Sequence, residues 1–294
     1  MSRPLPLAVV QAATLPPHTP LSVFTDDVQK VLCDFPQTRL VVYPELHLTA
    51  LAGDAAQRDA MMRDVAESLD GPRMKALREL AGDLGVWLLP GTVYERSVED
   101  GSIYNTAVLL SPEGELAASY RKVFPWRPYE RCRPGGSFVV ADMPGLGRVG
   151  LSICYDSWFP EVARHLAWMG AEVILNPTLT PTADRAQELV LARAQAITNQ
   201  VYVVGVNAAA PTARGRSLVV DPEGIVRVEA GEAPTVLTDV LDLDHVSTVR
   251  RYGTSALNRM WQQMEPGDTP IELPLYRGRI DPDTWPPVDG RGEP

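Results

Sequence analysis

Three residues far apart in the chain carry side chains suited to one reaction, nucleophilic attack on a carbonyl carbon: Glu45 in "RLVVYPE", Lys122 in "SYRKVFPWRPYE" and Cys154 in "VGLSICYDSWFPE". A free thiol is only a few per cent thiolate at neutral pH, so a nucleophilic cysteine needs a base or a positive neighbour. Histidine is the usual base, but the four histidines are scattered. His165 falls on the helix that follows Cys154 and reads as packed or solvated, and His47, beside "YPEL", stands alone. A carboxylate is the alternative base, and Glu45 closes an apolar run where Pro44 halts ladder pairing. The 27 basic residues include only three lysines, Lys30, Lys75 and Lys122, so a lysine here is a choice over arginine. Its compact ammonium fits beside both a thiol and a developing oxyanion. Taken singly, each residue also has an ordinary reading: Cys154 as a small buried hydrophobe, Glu45 as a solvated loop residue, Lys122 as a surface lysine.

All three stand where apolar runs end. The stretch "VGLSICYD" leads into a helix whose punctuation is legible: Pro160 suits the first helical position, Glu161 the positive N-terminal end, Val162, Leu166 and Met169 share a face, and Gly170 can close it. A side chain at such a strand-to-helix turn projects from the sheet close to backbone N–H groups that stabilise an anion. Similar apolar runs recur as "PLAVVQAAT", "GVWLLPGTVYE", "YNTAVLL", "AEVILNPT", "VYVVGVN" and "RSLVVD", several apolar on both faces. They alternate with helical patterns near residues 22–34, 55–83, 159–169 and 183–199. This alternation predicts an α/β layered fold with strands inside covered sheets. Hairpin signals at "SPEG", "PGLG" and "DPEG" make the sheets mixed. The simplest partition is one domain over 1–262 and a Pro-rich tail over 263–294, whose Leu273, Leu275, Tyr276 and Trp285 suggest packing on a surface or a second subunit.

Composition narrows the partners. A net charge of -10 without a basic stripe argues against nucleic acid. No apolar run approaches the roughly 20 residues that cross a bilayer, and the start "MSRPLPLAVVQAAT" lacks a secretory pattern, so the expectation is a cytoplasmic protein without a membrane partner. Three cysteines without CxxC spacing, and no HExxH pattern, disfavour a disulfide framework and a metal site. No cofactor is expected.

The order of Glu45, Lys122 and Cys154 resembles that of the nitrilase superfamily of carbon-nitrogen hydrolases. The likeness extends through "VVQAAT", "GTVYE", "YNTAVLLSPEGELAASYRK", "RPGGSF", "GRVGLSICYD", "PEVARHLAWMGAEVILNPT", "RAQAITNQVYVVGVN" and "GRSLVVDPEG", from residue 5 to about residue 245. The resemblance implies a four-layer αββα sandwich, a homodimer or larger homo-oligomer, and a Glu-Lys-Cys triad at Glu45, Lys122 and Cys154. It also implies a second glutamate beside the lysine, which Glu130 of "WRPYERCRPGG" matches. "RKVFPWRPYE" and "CYD" are most similar to the amidase branch, resembling aliphatic amidases and formamidases. One departure is "AITNQ", where many relatives carry Glu at the position of Thr198.

The expected reaction is hydrolysis of a small linear amide to acid and ammonia through a thioester on Cys154, with the Tyr155 N–H and Lys122 holding the oxyanion. Tyr43, Trp126, Tyr129, Asn176 and Thr178 flank the strand ends and are the expected pocket lining. Two other readings stand beside it. The same triad could serve a nitrile or an N-carbamoyl amine, with Arg127, Arg131 or Arg133 binding a substrate carboxylate, or the chain could be a non-catalytic scaffold that retained the fold.

Overall fold

A computed structural model describes residues 2–273 together with 278 and 279. Two mixed sheets lie face to face. The first contains β1 (Pro4–Gln11), β2 (Leu40–Val42), β3 (Trp87–Leu89), β4 (Thr92–Arg96), β5 (Ile103–Leu110), β6 (Leu116–Arg121) and β13 (Thr235–Asp242). Its order is β13-β1-β2-β3-β5-β4, with β6 also paired to β5. The second runs β12-β11-β10-β9-β8-β7 and contains β7 (Val139–Met143), β8 (Gly147–Leu151), β9 (Val173–Thr178), β10 (Tyr202–Asn207), β11 (Leu218–Val220) and β12 (Val226–Glu229). In each sheet three neighbouring strands are parallel, β1-β2-β3 and β8-β9-β10. The "SPEG", "PGLG" and "DPEG" turns join antiparallel pairs, as expected.

Period-two alternation explains why the strands are apolar on both faces. Leu5, Leu7 and Val9 of β1, Leu40 and Val42 of β2, Val149 and Leu151 of β8, and Val204 and Val206 of β10 meet in the core between the sheets. Ala8, Val10, Val41 and Leu88 face the other way, onto α1 (Leu21–Asp34) and α3 (Pro72–Leu84). Across the molecule, Ile174 and Val203 face α4 (Pro160–Trp168) and α5 (Arg185–Asn199). The layers are therefore αββα, the architecture expected. A one-residue slip of any central strand would exchange its two buried faces, so the register is tightly specified.

Two expectations need correction. The helical pattern over 55–83 is two helices, α2 (Ala55–Val65) and α3, because "DGP" interrupts it: Gly71 is the N-cap of α3 and Pro72 opens it. The strand before the nucleophile candidate stops at Leu151, and Cys154 opens a single 3-10 turn, Cys154–Trp158, ahead of α4. Beyond α6 (Leu243–Tyr252) and a last turn at Met260–Gln262, residues 263–273 form no regular element and Leu273 is exposed. Leu275, Tyr276 and Trp285 lie outside the described residues.

Candidate active site

Strand ends from both sheets converge on one buried cluster. Glu45 follows β2 after Tyr43 has extended the ladder by donating to the Leu89 carbonyl. Leu46, next to it, adopts a left-handed φ of 49° and donates its N–H to Thr92 Oγ1. This fold of the chain requires Gly91, whose φ is 95° and where a Cβ would stand 1.9 Å from the Pro44 carbonyl oxygen. Lys122 follows β6 directly. Its N–H donates to the Asn105 carbonyl on β5, and its own carbonyl accepts from Gly135, where a Cβ would collide with the Arg121 carbonyl. Gly135 of "RPGG" thus lets the loop close over the lysine backbone.

Lys122 Nζ lies 2.9 Å from Glu45 Oε1 and 2.7 Å from Glu130 Oε1. Asn105 Nδ2 donates to the same Glu45 oxygen at 2.8 Å, and the Trp126 N–H fixes the other Glu130 oxygen at 2.7 Å. Glu45 and Lys122 are almost wholly buried, which removes the solvated-loop and surface-lysine readings. The Cys154 thiol lies 3.7 Å from Thr180 Oγ1, and it and the Glu45 carboxyl act on each other's proton affinity. Cys154 itself takes a left-handed φ of 46°, an uncommon conformation for a residue with a Cβ and a mark of a constrained, functional turn.

The electrostatics follow from burial and from two carboxylates sharing one ammonium. Burial raises the Glu45 carboxyl above its ordinary range; Lys122 works against that shift and Glu130 adds to it. Burial alone would lower the Lys122 ammonium, but Glu45, the Cys154 sulfur and Glu130 reverse this and hold it well above its ordinary value. Burial, followed by Glu45, pushes the Cys154 thiol up, with Lys122 opposing. The cluster is therefore a neutral thiol and a carboxylate whose proton affinity is raised, with a fixed positive charge paired to that carboxylate: an arrangement that can move a proton from sulfur to carboxylate while the ammonium balances the charge.

Asp156 braces the turn that carries Cys154. Its Oδ2 accepts from Tyr120 Oη at 2.7 Å and from the Ile153 N–H at 2.9 Å, and its Oδ1 accepts from the Phe124 N–H at 2.9 Å. One fully buried carboxylate thus ties the Cys154 turn to the segment on either side of Lys122.

Of the expected pocket residues, Trp126 is half-buried and its ring lies 4.4 Å from that of the exposed Tyr129. Tyr155 packs on Trp158 and Phe159. Asn176 and Thr178 are buried at the end of β9 and bonded to each other, and Asn176 Nδ2 donates to Ser152 Oγ, so they support the chain entering the nucleophile turn. Tyr43 is a correction: its hydroxyl donates to Asp27 and its ring packs on Phe24, in the layer beneath α1. Alternation places it on the face of β2 opposite Val42, which belongs to the core between the sheets. Arg131 and Arg133 are paired with Asp59 and Asp100.

The remaining cysteines and histidines offer no better chemistry. Burial pushes the Cys132 thiol up to about 12, Cys33 is exposed on α1, and burial pushes the His47 imidazole down to about 3. His165 Nδ1 lies 2.7 Å from the Glu161 carbonyl on its own helix. Reasoning from sequence missed Asn105, Asp156, Thr180 and Glu188. The available signals were polar Asn105 within the apolar "YNTAVLL" and charged residues on the apolar face of α5.

A sandwich of this kind, with a buried glutamate and lysine at strand ends beside a half-buried cysteine and a half-buried second glutamate, defines a hydrolase of the nitrilase superfamily. The carbon-nitrogen hydrolase family matches residues 25–251, and the chain belongs to it. Over 223 residues the chain is 36% identical to an (R)-stereoselective amidase of a Pseudomonas species, covering 73% of this chain and 77% of that protein. It is 34% identical over 210 residues to the deaminated glutathione amidase of Mus musculus, covering 64% of each, so it spans less than two thirds of that relative. Saccharomyces cerevisiae Nit3, a member of branch 10 of the nitrilase superfamily, superposes with a TM-score of 0.76 at 29% identity, over 85% of this chain and 94% of that one. A mutant of the amidase from Nesterenkonia sp. AN1, which carries the acetamide moiety of fluoroacetamide covalently at its active-site cysteine, superposes with a TM-score of 0.67 at 26% identity, over 88% of this chain and 97% of that one.

Proposed function

We propose that this enzyme hydrolyses the C–N bond of a small linear amide, releasing a carboxylic acid and ammonia through a thioester on Cys154. The observation that carries the reading is the Lys122 ammonium held between Glu45 and Glu130, with Glu45 and the Cys154 thiol acting on each other's proton affinity. Glu45 takes the thiol proton as sulfur attacks the carbonyl carbon. The oxyanion that forms is held by Lys122 and by the Tyr155 N–H at the head of the 3-10 turn; one such donor is typically worth about a hundredfold to a thousandfold in rate. Collapse breaks the C–N bond, and protonated Glu45 passes its proton to the departing ammonia. Glu45 then deprotonates a water that attacks the thioester, and the thiolate leaves and recovers the proton. Glu130 fixes the lysine that both carboxylates share and serves as the fourth catalytic group. Trp126 and Tyr129 stand near this cluster and are proposed to flank its entrance, Trp126 through its bond to Glu130.

The amidase names of the relatives support amides over nitriles. Among the described residues no helix is long and apolar enough to cross a membrane. The working form is proposed to be a homodimer or larger homo-oligomer, a reading supported by Trp168 of α4 and Val190 of α5, both exposed on the outer helical layer. The test is ammonia and acid release across a panel of short amides, nitriles and N-carbamoyl amines. Turnover of amides is expected; turnover of nitriles or carbamoyl compounds alone would overturn the amide assignment, and Cys154→Ala leaving hydrolysis untouched would overturn the mechanism.

A further inference from the structure

A second buried ionic group reaches the nucleophile from the side of α5. Thr180 Oγ1, 3.7 Å from Cys154 Sγ, donates its proton to Glu188 Oε1 at 2.9 Å. The other Glu188 oxygen accepts from Arg185 Nη1 at 2.9 Å, and Arg185 also donates to the Gly215 and Arg216 carbonyls. Thr180, Arg185 and Glu188 are all buried. The Thr180 backbone is pinned as well: its N–H donates to Asn207 Oδ1 and its carbonyl accepts from Asn207 Nδ2. None of these residues has a part in the reaction derived above, yet the chain buries a full ion pair to hold one hydroxyl against the sulfur. Burying such a pair is costly and needs good geometry and further hydrogen bonds, which this one has.

A hydroxyl has one proton. Because Glu188 holds it, Oγ1 turns a lone pair toward Sγ and can accept the thiol proton. We propose that Thr180 is a positioning residue for the nucleophile, set by the Arg185–Glu188 pair, which keeps Cys154 a neutral thiol in the resting enzyme until a seated substrate draws its proton onto Glu45. The inference rests on Cys154 being the nucleophile. The other ionisable groups around the sulfur are Glu45, Lys122 and Glu130, with Asp156 in the same turn; Lys122 alone among these is a cation. Thr180 and Glu188 therefore act with the carboxylates against a resting thiolate, which protects the enzyme from unproductive alkylation and oxidation.

The experiment is the pH dependence of Cys154 alkylation by iodoacetamide, read by peptide mass, in the full-length wild type, T180V, T180S and E188Q, beside the pH profile of kcat/KM. T180V removes the lone pair that favours the S–H form, so its alkylation profile is expected to move to lower pH by half a unit or more, which is about a threefold faster reaction at pH 7. T180S is expected to restore the wild-type profile. E188Q, which leaves Thr180 in place but removes the charge that claims its proton, is expected to move with T180V and carries the test by a second route. T180V and E188Q profiles that superpose on the wild type overturn the proposal, whatever happens to thermal stability. A shift to higher pH also overturns it, because the hydroxyl would then be a donor to the thiolate. Failure of the underlying reading looks different: Cys154 would resist alkylation in every variant and C154A would still hydrolyse amide.

Discussion

Asp156→Asn offers a test of the electrostatics that position Cys154, and its size can be worked out in advance. Burial raises this carboxyl from an ordinary 3.8 to about 6, against the pull of Lys122 and of the three donors that face it. The native state therefore binds a proton more tightly than the unfolded chain. The stability this contributes is fully present below pH 3.8 and lost as the pH rises through 6. Linkage between these two values gives the wild type about 1.4 kcal/mol more stability at pH 5 than at pH 7 from this group alone. Asparagine cannot gain it. At pH 7 the variant has one oxygen for the donors from Tyr120, Ile153 and Phe124, and its NH2 must face at least one of them, a mismatch of about 1–3 kcal/mol. Urea denaturation of both proteins at pH 7 and pH 5 is the assay. The variant's deficit is expected to be larger at pH 5 by about 1.4 kcal/mol. A deficit that is equal at the two pH values, or smaller at pH 5, would refute the reasoning, because the native carboxyl would then not hold its proton more tightly than the unfolded one.

Lys122→Met leaves Glu45 buried and Glu130 facing it without the shared cation; breaking a buried pair in this way costs about 3–5 kcal/mol, and denaturation should show that loss together with the disappearance of turnover. Glu130→Gln removes the carboxylate that raises Glu45, so the acid limb of kcat/KM should move to lower pH while the rate falls. An acid limb that stays in place or moves up would mean that Glu130 does not act on the base.

The layered fold was legible because each central strand is apolar on both faces and each is followed by a helical pattern or a turn. The positions of Glu45, Lys122 and Cys154 were legible for a local reason: each follows an apolar run, and Pro44 and Pro160 mark two of the breaks. The split of 55–83 was written in "LDGP", where Gly and Pro fall within an otherwise helical stretch. Tyr43 shows where such reading goes wrong. A residue near a functional strand end is not thereby on the functional face, and counting alternation from Val42 would have turned it toward α1. Asn105, Asp156, Thr180 and Glu188 were missed for another reason. Their roles depend on partners 60, 36, 26 and 8 residues away, and a single sequence does not say which buried polar groups meet. The charge of the site was equally hidden, since the proton affinities of Glu45 and Lys122 depend on their burial.

The central claim is that Cys154 carries the acyl group during turnover. Mixing the wild-type enzyme with a short aliphatic amide, quenching in acid within the first turnovers and measuring peptide masses tests it most directly. The account predicts a mass increase equal to the acyl group on the peptide containing Cys154, lost on treatment with hydroxylamine and absent in C154A, which should release no ammonia. Steady turnover by C154A, or an acyl mass found on another residue with Cys154 unmodified, would contradict it.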